Sequence, residues 1–194
     1  EGADILKKLK KEKRVIIGIF PHISWDATFS YGENYFTDYR EIFNDVFSVI
    51  ADFKEIIFLV KFHPDYQFKN KQAGKAPDAD IKEEIRHLNS LDNVYVFDPT
   101  EEINVYDILN SVDKVVTVRG TIGIEGAMLG KDIWVFGTGR YSNYGFVKVI
   151  KSIKTFVDQL KRVKKKNHSS NSISKRANLF WHELYERVPI DLSK

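Results

Sequence analysis

The 194-residue chain contains no cysteine. That excludes a disulfide framework, a thiolate nucleophile and a cysteine-ligated metal, and it fits a reducing compartment. Proline and glycine are sparse, at 5 and 11 residues, so the chain reads as an ordinary globular one. No apolar run approaches the roughly 20 residues that a membrane-spanning helix needs. No signal-peptide pattern opens the chain, and a cytoplasmic location is the expectation. The 5 histidines are scattered, with no pair at ligand spacing on one helix, so no metal site is expected and no cofactor is called for. A Walker lysine motif is missing, and Gly-x-Gly-x-x-Gly does not follow the first strand, which argues against ATPase and dinucleotide readings. The net charge of +3 is a mild bias. Its excess falls in Lys7 to Arg14 and Lys161 to Lys166, without interleaved aromatics, so no nucleic-acid partner is expected. The second run reads as a solvated helix end that suits the macrodipole, or else as a peripheral contact with anionic lipid at the inner membrane. The chain opens on Glu1 and its one Met is Met128, as expected of a trimmed chain or a piece of a longer one.

What is present is a regular alternation of apolar runs and helical patterns. Val15 to Phe20, Ile56 to Lys61, Val94 to Phe97, Lys114 to Val118 and Ile133 to Phe136 read as five strands. Helical patterns fall at Asp38 to Phe53 (capped by Thr37), Ala79 to Leu91, Asn104 to Asn110, Ile122 to Leu129, Ser152 to Lys166 and Ile173 to Val188. Gly130 is the expected stop of the fourth, and Gln67 to Ala79 reads as a surface loop. Strands that are apolar throughout are buried on both faces, the mark of a parallel sheet. With right-handed crossovers, the expectation is an α/β, Rossmann-like open parallel sheet of about five strands or more with helices on both faces. Residues 1–150 form the sheet domain in this reading, and residues 151–194 are a C-terminal helical extension packing across it.

In an open parallel sheet, ligands sit beyond the carboxyl ends of the strands. Four polar clusters fall at such ends: Pro21 to Asp26, Lys61 to Asp65, Arg119 to Glu125 and Gly137 to Gly145. In the third, the Thr121 hydroxyl and the N–H groups of Ile122 and Gly123 can donate to a phosphate, while Gly120 and Gly123 allow close approach. Glu125 then lies near a ribose, and Arg119 adds charge. The alternative is that Thr121 caps the helix and Gly126 lets it pack on the sheet. His63, held by Pro64, is placed to donate to a phosphate oxygen, with Lys61 two residues earlier; it serves equally as a structural histidine at a strand end. Tyr141 and Tyr144 either stack on a base and touch a sugar or simply cover the sheet edge. Asp26, after His22 and Trp25, is a candidate base or sugar contact, or the cap of a turn.

These stretches together resemble the donor-binding half of GT-B glycosyltransferases, in particular the capsule and surface polysaccharide biosynthesis group that includes Kdo-transferring enzymes. The resemblance rests on Trp25-Asp26-Ala27, Lys61-Phe62-His63-Pro64, Asn93 to Val96, Tyr106 to Leu109, and Thr121 to Lys131 followed by Val135-Phe136-Gly137 and Tyr141. It spans about Val15 to Val147, and the order of the motifs makes it specific. It implies a nucleotide-sugar donor whose phosphate is held by His63 and Thr121, with Glu125 at the ribose. It also implies a glycan or glycolipid acceptor bound by an N-terminal half for which this chain has no room, with the chain inactive alone. In such proteins the terminal helix crosses back to brace the other half, and Leu179, Phe180, Trp181 and Leu184 would supply its apolar surface. Two other readings stay open: a sugar-nucleotide epimerase of the same architecture, and a non-catalytic scaffold that keeps the fold.

Overall fold

A computed structural model of the chain describes residues 2–9, 11–22, 35–36, 39–63, 85–99, 101–164 and 170–187. Six strands form one sheet: β1 (Val15–Ile19), β2 (Ile56–Lys61), β3 (Val94–Phe97), β4 (Lys114–Thr117), β5 (Asp132–Phe136) and β6 (Val147–Ile150). Their spatial order is β3-β2-β1-β4-β5-β6, and every pairing is parallel. This is the doubly wound order of a Rossmann-like sheet, with the order reversing between β1 and β4.

The strand residues explain why both faces are covered. Ile17, Ile19, Phe58, Val60, Val116, Trp134 and Phe136 point to one face. Ile16, Ile57, Leu59, Val115, Ile133 and Val135 point to the other, and all are buried. A strand whose successive side chains are all apolar needs a layer of helices on each side. On the first face lie α2 (Tyr39–Ile50), through Tyr39, Ile42, Phe43, Val46, Phe47 and Ile50, and the later helix Ile153–Lys161, through Phe156 and Leu160. On the second lie α1 (Gly2–Leu9), α3 (Val105–Ser111), α4 (Ile122–Met128) and the helix Asn171–Trp181. The last two helices in chain order are α5 (Ile153–Lys161) and α6 (Asn171–Trp181), and a π-helical turn, His182–Glu186, extends α6. Residues 85–89 are also helical.

The sheet has one strand more than the five read from the sequence. Strand β6 is short and alternates poorly, with Lys148 exposed and Val147 and Val149 half-buried. A lysine that would be out of place in a central strand suits an edge, where it discourages pairing with another chain. The first helix was hidden in the same way, because Lys7 and Lys8 register as charge while Leu6 and Leu9 are buried. The expected long terminal helix is instead α6 plus the π turn. Helix α5 ends at Lys161, short of the expected Lys166. The start of the helix expected from Ala79, the Thr37 cap and the loop from Gln67 lie outside the described residues.

Helix α6 lies over α4 and is tied to it by hydrogen bonds. Ser174 Oγ donates to Met128 O at 2.7 Å, and Ser170 N–H donates to Gly130 O at 2.9 Å. Gly130, at φ 75°, is the left-handed residue that ends α4. The C-terminal segment therefore rests directly on the helix that follows β4. Among the described residues, no helix is long and apolar enough to cross a membrane.

Candidate functional site

The reversal of strand order places the ends of β1 and β4 side by side with their outgoing chains diverging, which opens a crevice. Two hydrogen bonds fix that edge: Phe20 N–H to Val116 O at 2.9 Å, and Thr117 Oγ1 to Phe20 O at 3.1 Å. Above it is a cavity of about 1260 Å³. Small-molecule sites usually fall in the range of roughly 300–1,000 Å³, so there is room for a ligand of several linked groups. The chain segments after β1, β2, β3, β4 and β5 all reach its wall, as does the π turn through Leu184 and Tyr185.

Of the residues singled out by sequence, Lys61, His63, Arg119, Gly120, Thr121, Ile122, Glu125 and Tyr141 line this one cavity. Gly123 is buried below it, and Tyr144 is exposed and outside the lining, edge-on to Phe180 at 4.6 Å. Asp26 lies outside the described residues, as do Trp25, Ala27 and Pro64.

Arg119 is held from two sides. Its Nε donates to Thr138 O at 2.7 Å, and its Nη1 donates to the Tyr39 hydroxyl at 3.2 Å. Its stem lies over Gly139, where an added Cβ would come within 3.2 Å of Arg119 Cγ. The guanidinium is thus braced from the β5 loop and from α2 at once. Lys61 is engaged differently. Its ammonium donates to Asp98 O at 2.7 Å and to Glu101 O at 3.2 Å, so it clamps the turn after β3. Burial holds its pKa below the ordinary lysine range, while the carboxylates of Glu101 and Asp98 pull it back upward. His63 is exposed at the cavity wall just beyond β2.

Thr121 makes no side-chain cap bond to α4, in contrast to Asn104, whose side chain caps α3 by accepting from Tyr106 N–H at 2.9 Å. The turn's own bonds run from Gly123 N–H to Gly120 O (3.0 Å), and from Ile124 and Glu125 N–H to Thr121 O (2.8 and 3.0 Å). The N–H groups of Thr121 and Ile122 take no part in them. The exposed Thr121 hydroxyl is therefore available to a ligand.

Tyr141 is 3 % exposed and packs among Phe146 (5.9 Å, stacked) and Phe180 (6.5 Å, edge-on). Its hydroxyl donates to Gly120 O at 2.9 Å, so it fixes the turn after β4. Burial lifts this phenol far above the ordinary tyrosine range, against the opposing pull of the Arg119 charge. Glu125 has a neighbour that sequence reasoning missed. Its negative charge, and a hydrogen bond to its carboxylate, hold the Tyr106 phenol above the usual value. Two further residues were read only as part of other patterns. Tyr39 falls within the helical pattern Asp38 to Phe53, yet it lines the cavity. Arg140 was passed over within its loop, and it too lies on the wall.

The fold and site define a Rossmann-like domain whose switch-point crevice carries cationic groups and one carboxylate-bearing helix. The sequence profile described as capsule polysaccharide biosynthesis protein matches residues 3–178, and the chain belongs to that family. None of the curated proteins matches it. Among solved structures, it is similar to a putative UDP-N-acetylglucosamine 2-epimerase from Listeria monocytogenes, at 15% identity and a TM-score of 0.55 over 95% of this chain and 48% of that one. The UDP-GlcNAc 2-epimerase of Neisseria meningitidis, bound to UDP-GlcNAc, is similar at 16% identity and a TM-score of 0.53, over 91% and 43% of the two chains. The beta Kdo 2,7 transferase KpsC of Thermosulfurimonas dismutans gives 15% identity and a TM-score of 0.50 over 90% and 49%. At these identities the likeness establishes the fold. The chain spans less than half the length of each of these proteins.

Proposed function

We propose that this domain binds a nucleotide sugar and forms the donor-binding half of a GT-B glycosyltransferase that builds a capsule or surface polysaccharide in the bacterial cytoplasm, peripheral to the inner membrane. One observation carries the reading: a single switch-point cavity is lined by Arg119, His63, Thr121 and Glu125, in a chain of the capsule polysaccharide biosynthesis family. The Arg119 guanidinium, the His63 imidazole and the Thr121 hydroxyl suit a phosphate, and the Glu125 carboxylate accepts from a ribose diol. Lys61 and Tyr141 hold the β3 and β4 turns in place around the ligand.

In the intact enzyme, an acceptor hydroxyl delivered by another domain attacks the anomeric carbon of the donor, and the nucleotide phosphate departs with the bonding electrons. Arg119 and His63 stabilise the charge that develops on the leaving oxygen, as preorganised donors in a partly dry site. The acceptor and its base belong to the other half in this scheme, so the chain alone binds the donor and transfers nothing. Glycan or glycolipid is the acceptor class.

A thermal-shift screen of CMP, UDP, GDP and CDP derivatives tests the reading. A ligand at 100 times its Kd adds about 2.7 kcal/mol, which for a domain of this size is roughly 5–11 °C. One nucleotide class is expected to give that shift, and His63→Ala and Glu125→Ala to abolish it while remaining folded. An unchanged shift in both variants contradicts the assignment. Isomerised donor after incubation without acceptor would mark an epimerase instead.

A further inference from the structure

Among the described residues, Tyr39 is the one phenol of the cavity wall that is both buried and hydrogen-bonded to a cationic side chain. It is 1 % exposed at the first position of α2, with its ring 4.7 Å from that of His22 and 5.7 Å from that of Phe36. Its oxygen accepts from Arg119 Nη1 at 3.2 Å. A phenol oxygen that accepts from a guanidinium still has its own proton to give. Among the described residues nothing takes that proton, yet both Tyr39 and its partner Arg119 line the cavity. A buried O–H without an acceptor is unfavourable unless something supplies one. Donation from Arg119 also polarises the O–H bond, which makes the proton a better donor to a negative group.

We propose that Tyr39 is a ligand-binding residue of this cavity, with its hydroxyl accepting from Arg119 and donating to an oxyanion of the bound nucleotide's phosphate. This deepens the functional reading above and rests on it. Arg119 then acts on the anion in two ways, through its own charge and through the Tyr39 hydroxyl. The contact of Tyr39 with His22 further joins the β1 loop to the phosphate. The proposal puts the phosphate, rather than the base or the ribose, against the Tyr39 hydroxyl.

The test uses the full chain and whichever of CMP, UDP, GDP and CDP it binds, together with the matching nucleoside as a phosphate-free probe. Tyr39→Phe keeps the ring and its packing and removes only the hydroxyl. Titration calorimetry is expected to show a Kd for the nucleotide raised about tenfold, the usual scale for a hydrogen bond to a charged group, with the nucleoside unaffected. In an Arg119→Lys background, the same change is expected to have a smaller effect, because the polarising donor is gone. Equal nucleotide affinity in Tyr39→Phe and the parent overturns the inference alone. So does a loss shared equally by nucleotide and nucleoside. A parent chain that binds none of the four nucleotides overturns both this inference and the functional reading.

Discussion

Replacing Gly123 with alanine separates a local rule from the packing that overrides it. By helix propensity alone, alanine inside α4 gains about 1 kcal/mol over glycine. The added Cβ, however, would sit 2.5 Å from Tyr141 Oη and 3.1 Å from Tyr141 Cζ. That phenol has little freedom, because it is wedged between Phe146 and Phe180 and its hydroxyl holds Gly120 O at 2.9 Å. Moving it gives up a buried hydrogen bond of about 1 kcal/mol and adds about 1–3 kcal/mol of overpacking. The balance is a destabilisation of about 2 kcal/mol, or roughly 4–8 °C in Tm for a domain of this size. Urea unfolding of Gly123→Ala measures it directly. Repeating the change on Tyr141→Phe, which lacks the nearest atom, is expected to reduce the loss by about 1 kcal/mol. A variant as stable as the parent, or an equal loss in both backgrounds, refutes the argument.

Two other positions give independent checks. Asn93 is 1 % exposed, and its Nδ2 donates to Ile50 O, Phe53 O and Ile56 O at 3.1, 3.0 and 3.3 Å, clipping the end of α2 to the start of β2. Asn93→Ala is expected to lower unfolding stability by about 2–3 kcal/mol in urea, since it strands buried carbonyls. The Glu12 carboxyl is held down to about 2, first by the hydrogen bond from the Arg14 side chain and then by the Arg14 N–H. A depressed carboxyl contributes stability above its unfolded pKa and loses it as pH falls toward the folded value. Glu12→Gln is therefore expected to be slightly less stable than the parent at pH 7, by less than about 1 kcal/mol because the pair is on the surface. That gap closes between about pH 4.5 and 2, and a constant gap across this range would contradict it.

Strands buried on both faces were easy to read because their signal is continuous. β2 and β3 fall at the expected residues, and Gly130 ends α4 as anticipated. Elements at the periphery were harder, for a physical reason. β6 and α1 carry their apolar residues among lysines, so one-sided burial is masked by charge. The site divides the same way. Lys61, His63, Arg119 and Glu125 were legible because polar residues interrupt apolar strands or open a helix after one. Tyr39 and Tyr106 were not, since a tyrosine on a helix face looks like core until its hydroxyl partner is known. The partners are Arg119, 80 residues away, and Glu125 on α4, and no local pattern announces either.

The central claim is that a phosphate-bearing ligand sits where the chains leaving β1 and β4 diverge. A crystal of the chain soaked with the nucleotide selected by thermal shift tests it most directly. Density for the phosphate within hydrogen-bonding distance of Arg119, with the ribose at Glu125, is the predicted result. Density confined to another face of the domain would contradict the account.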